Sequence, residues 1–334
     1  MRETGFTRRQ AVAGSALLLA APTLVRAAEL DPTVWRFLVI GDWGREGRKD
    51  QRRTAAAMKQ IAYEKKTEFV VGTGDNFYHW GVWSKGSHRW NTCFEGVYDK
   101  CLGDWYPVLG NHDYGGSVQA QLDYRHISPR WQMKKRWWDD LHEAPGRRPL
   151  HLFYFDTVQW LGKESFPFMI YGDDFSEQLR LEQIAAMDEA LDKSPKDAIR
   201  LAVGHHGIWS VGKHGGAKRL DSLDRKLKAH EVTAWVHGHD HCLFHVEQGG
   251  MHYVCSGAGS EVLPKHTLVG ACGPDQACDP AKPPVERSFY GRDPGSGEAI
   301  EGGFALFEIG RDTGSFRFYN SDAKALGEEP VRLY

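Results

Sequence analysis

Five short apolar runs punctuate the chain, and each leads through a glycine to a polar side chain able to hold a metal. Trp35–Ile40 precedes Gly41-Asp42, and residues 69–71 lead through Gly72-Thr73 to Gly74-Asp75. Residues 105–109 precede Gly110-Asn111-His112-Asp113, and Ile199–Val203 precedes Gly204-His205-His206. Residues 232–236 lead to His237-Gly238-His239-Asp240-His241. Runs this short, rich in Val, Ile and aromatics, predict buried strands. Helical periodicity lies between several of them, over residues 50–66, 175–191 and 220–230, with Ser176 as the N-cap of the second. Strands alternating with helices predict a layered α/β domain. The later third changes character. Residues 244–247, 251–255, 304–309 and 315–320 read as antiparallel strands joined by turns such as Gly249-Gly250, and 270–303, rich in Gly and Pro, reads as a surface loop.

The amino-terminal segment reads as a leader outside this pattern. Thr7-Arg8-Arg9 precedes an apolar run over residues 11–24, and Val25-Arg26-Ala27 closes it with an A-x-A-like site. Charge, apolar core and cleavage site in that order predict a secretory signal, and the paired arginines predict a twin-arginine one. Cleavage after Ala27 leaves residues 28–334 as a single domain, periplasmic or secreted. Six cysteines in an exported chain predict disulfides, with Cys93–Cys101, Cys242–Cys255 and Cys272–Cys278 as the local pairs. Composition removes other classes. With 42 Lys+Arg against 44 Asp+Glu there is no positive excess to hold nucleic acid. No apolar run reaches the roughly 18–20 residues of a membrane span, so no stable membrane insertion is expected.

Glycine at each strand end lets the chain turn without a Cβ conflict, and the next side chain then stands at the strand's carboxyl end. Ligands gather at that edge of open α/β sheets. Asp42, Asp75, Asn111, His205, His239 and His241 are expected to meet there. His239 and His241 alternate in phase, facing one way on a strand and free to converge on a turn. Carboxylate and amide oxygens mixed with imidazole nitrogens suit divalent or trivalent transition metals. The set is too large for one four-coordinate zinc, and two metals sharing a bridging carboxylate is the economical arrangement.

The order Gly-Asp, Gly-Asp-Asn, Gly-Asn-His-Asp, Gly-His, Gly-His-Asp-His resembles that of the metallophosphoesterase superfamily. Gly41-Asp42-Trp43-Gly44 and Gly74-Asp75-Asn76-Phe77-Tyr78 narrow the resemblance to the purple acid phosphatases of the small tartrate-resistant type. Tyr78 discriminates most, because the equivalent tyrosine of that family binds ferric iron as a phenolate. The likeness extends from about residue 35 to 309. It implies a four-layer α/β/β/α sandwich with mixed sheets. It implies a ferric site of Asp42, Tyr78, His241 and bridging Asp75, and a divalent site (Fe, Zn or Mn) of Asn111, His205, His239 and the same Asp75. His112 is expected beside the leaving group, and His214 as a second active-site histidine. The chain also departs from the family. His206-Gly207 stands where tyrosine and proline are usual, Cys242 follows His241 where a polar residue is usual, and 270–303 has no counterpart. These positions flank the cleft and bear on substrate preference.

The resemblance implies hydrolysis of small phosphate monoesters by in-line attack of metal-bound hydroxide, with an acidic optimum. A trivalent ion keeps bound hydroxide available at lower pH than a divalent one. A phosphodiesterase or nucleotide pyrophosphatase on the same fold is the alternative enzyme, and a non-catalytic metal or phosphate binder the alternative class. Trp80, Trp83, Trp90 and Trp209 either line a nucleobase pocket or pack the core and rim.

Overall fold

The computed structural model describes Met1 and residues 30–162, 165, 176–212, 214–262, 286–289 and 300–334. The expected leader and the Cys272–Cys278 pair lie outside the described residues. Pro32–Tyr334 forms one unit.

Two mixed sheets carry the architecture. The first orders its strands β13-β12-β11-β1-β2-β3, formed by β1 (Trp35–Ile40), β2 (Phe69–Gly72), β3 (Asp104–Pro107), β11 (Gly303–Ile309), β12 (Gly314–Asn320) and β13 (Val331–Arg332). The second orders them β10-β8-β9-β7-β6-β5-β4. It comprises β4 (Trp138–His142), β5 (Leu150–Tyr154), β6 (Ile199–Val203), β7 (Ala234–His237), β8 (Leu243–Gln248), β9 (Met251–Ser256) and β10 (Glu286–Phe289). In the first sheet β1, β2 and β3 run parallel, and β11 and β12 continue it antiparallel. In the second β5, β6, β7 and β9 run parallel. Central strands such as β1 and β2 are buried along their whole length, which is why they read as continuous apolar runs rather than alternating ones.

Helices cover the outer faces. Helix α1 (Gln51–Lys65) buries Thr54, Met58, Ile61 and Ala62 at helical spacing, against β1 and β11. Short helices α2 (Val118–Tyr124) and α3 (Thr157–Leu161) follow, then α4 (Glu177–Lys193) and α5 (Asp221–Ala229). Met187 and Leu191 of α4 and Leu223 and Leu227 of α5 join Phe153, Ala202 and Trp235 of the second sheet in a separate apolar cluster. The larger cluster holds Phe37, Val39, Phe307 and Phe316 of the first sheet with Leu152, Leu201 and Val254 of the second. Helix, sheet, sheet and helix therefore stack in four layers, as expected.

Three expectations change. Residues 270–303 are not loop throughout, because Glu286–Phe289 pairs antiparallel with β8 as an edge strand. The fifth apolar run starts as a helix end rather than as strand, since Val232 N–H donates to Leu227 O and β7 begins only at Ala234. Cys93, Cys101, Cys242 and Cys255 are free thiols instead of the expected disulfides. Cys93 is buried while Cys101 faces solvent, and the Cys255 thiol points at the carbonyls of Cys242 and Gly238, at 3.4 and 3.5 Å.

Candidate metal centre

The carboxyl ends of β1, β2 and β3 in one sheet and of β6 and β7 in the other converge. The residue pattern alone suggested a single sheet edge, but the polar cluster draws on both. Hydrogen bonds to backbone carbonyls stitch the two ends together. Gly41 N–H donates to Ser256 O at 2.7 Å, and the His205 Nδ1 lies 2.9 Å from Thr73 O.

The glycines act differently from the simple turn reading. Among the four φ-positive candidate ligands are Asp42 (59°), Asp75 (53°), His239 (69°) and His241 (44°), so these side chains themselves occupy the left-handed region. Such conformations cost on the order of 1–3 kcal/mol each and cluster at functional sites. The neighbouring glycines supply close approach instead. A Cβ on Gly110 would lie 2.2 Å from Asp75 N, and one on Gly238 would lie 2.4 Å from Asp42 Oδ2.

The cluster has two halves joined by Asp75. In the first, the Tyr78 hydroxyl donates to Asp42 Oδ1 at 2.8 Å, and His241 Nε2 lies 2.8 Å from the same phenol oxygen. In the second, His205 Nε2 lies 3.0 Å from Asn111 Oδ1 and 3.3 Å from His239 Nδ1. Asp75 Oδ1 is 3.5 Å from His205 Nε2 and accepts the His112 backbone N–H at 2.9 Å. Ligand atoms of Asp42, Asp75 and His205 lie within 4.8 Å of one another, as do those of His205, His206 and His239. All seven sequence-predicted ligands thus come together, and His239 and His241, set on a turn after β7, reach opposite halves.

The two expected catalytic histidines flank this cluster. His112 packs on Tyr78, ring centres 4.4 Å apart, and its Nδ1 lies 2.8 Å from His79 O. That bond directs Nε2 toward Asp75, whose Oδ2 is 4.0 Å away. The His214 ring sits 4.3 Å from that of His239, and its backbone N–H donates to Asp240 Oδ1.

Electrostatics favours a cation here. Asp42 and Asp75 are both buried and close. Burial and the charge of Asp75 push the Asp42 carboxyl well above the ordinary carboxylate range. Burial also acts on Asp75, but His205 and His112, with bonds from Tyr78 and the His112 backbone, outweigh it and hold that carboxyl down at about 2. Two carboxylates this close and this dry cannot both ionise without a counter-charge. Burial keeps His205, His239 and His241 neutral, the last lowered to about 3, so each has a lone pair to offer. Mixed oxygen and neutral-nitrogen donors around two anions fit transition-metal cations.

Supporting residues were harder to see in the sequence. Arg45 lies 3.9 Å over the Tyr78 ring and bonds Ser260. Thr73 offers only its carbonyl, which no side-chain motif reveals. Asp113 is buried and accepts N–H bonds from Gly110, Asn76 and Phe77, fixing the turn that carries Asn111 and His112. Its position inside Gly-Asn-His-Asp was the available signal. His206 is buried with Nδ1 2.8 Å from Thr157 Oγ1, in a supporting position beside His239.

Comparisons with known proteins agree with this geometry. Residues 36–243 match the calcineurin-like phosphoesterase family. Purple acid phosphatase 3 of Arabidopsis thaliana is 34% identical over 249 residues, covering 71% of this chain and 66% of that protein. Tartrate-resistant acid phosphatase type 5 of Rattus norvegicus is 30% identical over 331 residues, covering 92% and 93%. The chain belongs to the purple acid phosphatases. As a purple acid phosphatase it is a phosphoric-ester hydrolase of the binuclear-metal class. Among solved structures, GAP50, the anchor in the inner membrane complex of Plasmodium, superposes with a TM-score of 0.70 at 22% identity, covering 90% of this chain and 88% of that one, which bears on the fold alone.

Proposed function

We propose that this purple acid phosphatase hydrolyses small phosphate monoesters at acid pH, with ferric iron held by Asp42, Tyr78, His241 and bridging Asp75. Asn111, His205, His239 and the same Asp75 would hold a divalent Fe, Zn or Mn. The observation that carries the reading is the contact of the Tyr78 phenol with both Asp42 and His241, at 2.8 Å each. A phenol in that position suits a hard trivalent ion. Bound metals would supply charge neutralisation and an activated nucleophile for in-line displacement.

The chain's own groups do the rest. Thr73 O fixes His205 so that Nε2 faces the cluster. His79 O fixes His112, leaving Nε2 at the cleft to hand a proton to the departing oxygen. His112 retains solvent access, its side chain 24% exposed, which a group meeting substrate requires. His214, beside His239, is the second substrate-side histidine. The order of charge, apolar run and Val25-Arg26-Ala27 supports export to the periplasm or medium by a twin-arginine leader over residues 1–27, ahead of a single domain over 28–334.

The test compares a phosphomonoester and a bis-ester on the same metal-loaded sample across pH. Faster turnover of the monoester with an optimum below neutrality is expected. A rate that climbs steadily above pH 7, or preference for the bis-ester, would overturn it.

A further inference from the structure

His206 stands where tyrosine is usual among the small purple acid phosphatases, so no role for its imidazole carries over from the family. The residue is buried, 4% exposed, and fixed from several sides. β6 ends at Val203, and the turn after it runs tight against the start of α3. A Cβ on Gly204 would lie 2.5 Å from the Trp235 ring and 2.7 Å from Thr157 Cγ2. Thr157 Oγ1 accepts the backbone N–H groups of His205 and His206 at 3.3 and 3.2 Å, and Trp235 Nε1 donates to His206 O at 3.1 Å. The ring itself is held through Nδ1, 2.8 Å from the same Thr157 oxygen.

That leaves Nε2. It is buried, and among the described residues it has no hydrogen-bond partner. Buried polar atoms are nearly always paired, so an orphan inside a polar cluster marks a group awaiting something the chain does not supply. The surroundings say what that is. The His206 ring lies 4.5 Å from that of His239 and 5.0 Å from that of His205, and one nitrogen from each of the three comes within 4.8 Å of the others. An atom closed off from solvent is out of reach of a substrate oxygen, but a cation seated among donor atoms is closed off in the same way. The arrangement also repeats that of His205, whose Nδ1 is committed to Thr73 O while Nε2 faces the cluster. A ligating histidine ordinarily has its second nitrogen bonded in this manner, and a hydroxyl oxygen can accept that N–H.

We propose that His206 is an additional ligand of the divalent site, through Nε2, and that this third imidazole raises the site's preference for zinc over manganese. Imidazole suits zinc, whereas carboxylate, carbonyl and water suit manganese. Asn111, His205, His239 and bridging Asp75 divide evenly between oxygen and nitrogen donors, and His206 tips the set toward nitrogen. The departure from the family at this position then bears on which metal is held. This proposal rests on the binuclear reading above, and the experiment separates the two.

Full-length protein holding iron alone is titrated with zinc and with manganese, as wild type, as His206→Phe and as His206→Gln, with metal content measured on each sample. In parallel, the iron–zinc wild type is crystallised and the zinc located by anomalous diffraction at its own edge, a measurement that no folding defect of a variant disturbs. Nε2 of His206 is expected about 2.0–2.1 Å from the zinc. Both substitutions are expected to shrink the ratio of zinc to manganese affinity by roughly tenfold or more, with zinc binding lost and manganese binding little changed. His206→Gln, which at best returns an oxygen donor, should recover manganese binding better than zinc binding. A residue that only supports His239 would weaken both metals alike. Zinc bound by His205 and His239 with His206 outside bonding distance, or an unchanged zinc to manganese ratio in both variants, would overturn the proposal while leaving two cations in place. A wild type that takes up a single cation per chain would instead remove the binuclear reading beneath it.

Discussion

At the scale of single residues, the cluster is specified by the bonds that fix which atom each group presents. His205 commits Nδ1 to Thr73 O, His112 commits Nδ1 to His79 O, and Asp42 Oδ2 accepts the His239 backbone N–H. Identities of the candidate ligands were legible in the sequence because carboxylate, amide, phenol and imidazole follow glycine in a fixed order. Their supports were not legible, since carbonyls such as those of Thr73 and His79 carry no residue-type signal. Nor were the φ-positive backbones of Asp42 and Asp75, which the adjacent glycines suggested belonged to glycine itself. Two substitutions follow. Tyr78→Phe keeps the ring but removes the oxygen, and a visible absorption band present in the iron-loaded wild type should vanish. His112→Ala should lower kcat by about 10²–10⁴ with metal content unchanged, measured by turnover and metal analysis on the same sample. Lost metal would make His112 a ligand instead.

Among the elements, the pattern was read best where burial is two-sided and worst at edges. β1 and β6 match their apolar runs, and Ser176 caps α4 as expected, accepting the Leu179 N–H at 3.0 Å. β4 escaped notice because Asp139 and Asp140 sit inside it, tolerated on an edge strand that, among the described residues, pairs with β5 alone. β5 carries a buried His151 between Ser194 and Asp139, a polar centre that breaks the apolar signal. β8 and β9 hold a further buried pair. His252 Nε2 faces Leu333 O at 3.2 Å, and its Nδ1 lies 2.9 Å from His245 Nε2. Burial, then His252, lowers His245 to about 3, against about 6.5 in the unfolded chain. Between those values the unfolded state binds more protons, so the contribution present above pH 6.5 is lost progressively as pH falls toward 3. The effect is about 2 kcal/mol by pH 5. His245→Gln, which cannot titrate, should flatten the dependence of the urea midpoint on pH between 6.5 and 4. An equally steep slope in the variant would place the acid sensitivity elsewhere.

For the whole molecule, two sheets end at one place, and the candidate centre ties them. Asp42, Asp75, Tyr78 and Asn111 follow strands of the first sheet, while His205, His239 and His241 follow strands of the second. Alternating strands and helices announced the α/β class, but single-sequence pattern could not divide the strands between two sheets, because that division lies in hydrogen-bond partners far apart in the chain. Metals bound across the junction would stabilise the folded state by mass action, about 4 kcal/mol when free metal exceeds Kd a thousandfold. Chelation should therefore lower Tm, and restored metal should recover it. An unchanged Tm after complete metal removal would show that the cations contribute nothing to holding the sheet ends together. The most direct measurement is anomalous diffraction from crystals of the metal-loaded protein, recorded on both sides of the iron edge. Two peaks roughly 3.5–4 Å apart are expected with Asp75 between them, the iron peak beside the Tyr78 oxygen and the other beside Asn111, His205 and His239. A single peak, or iron with the Tyr78 hydroxyl turned away from it, would contradict the binuclear assignment.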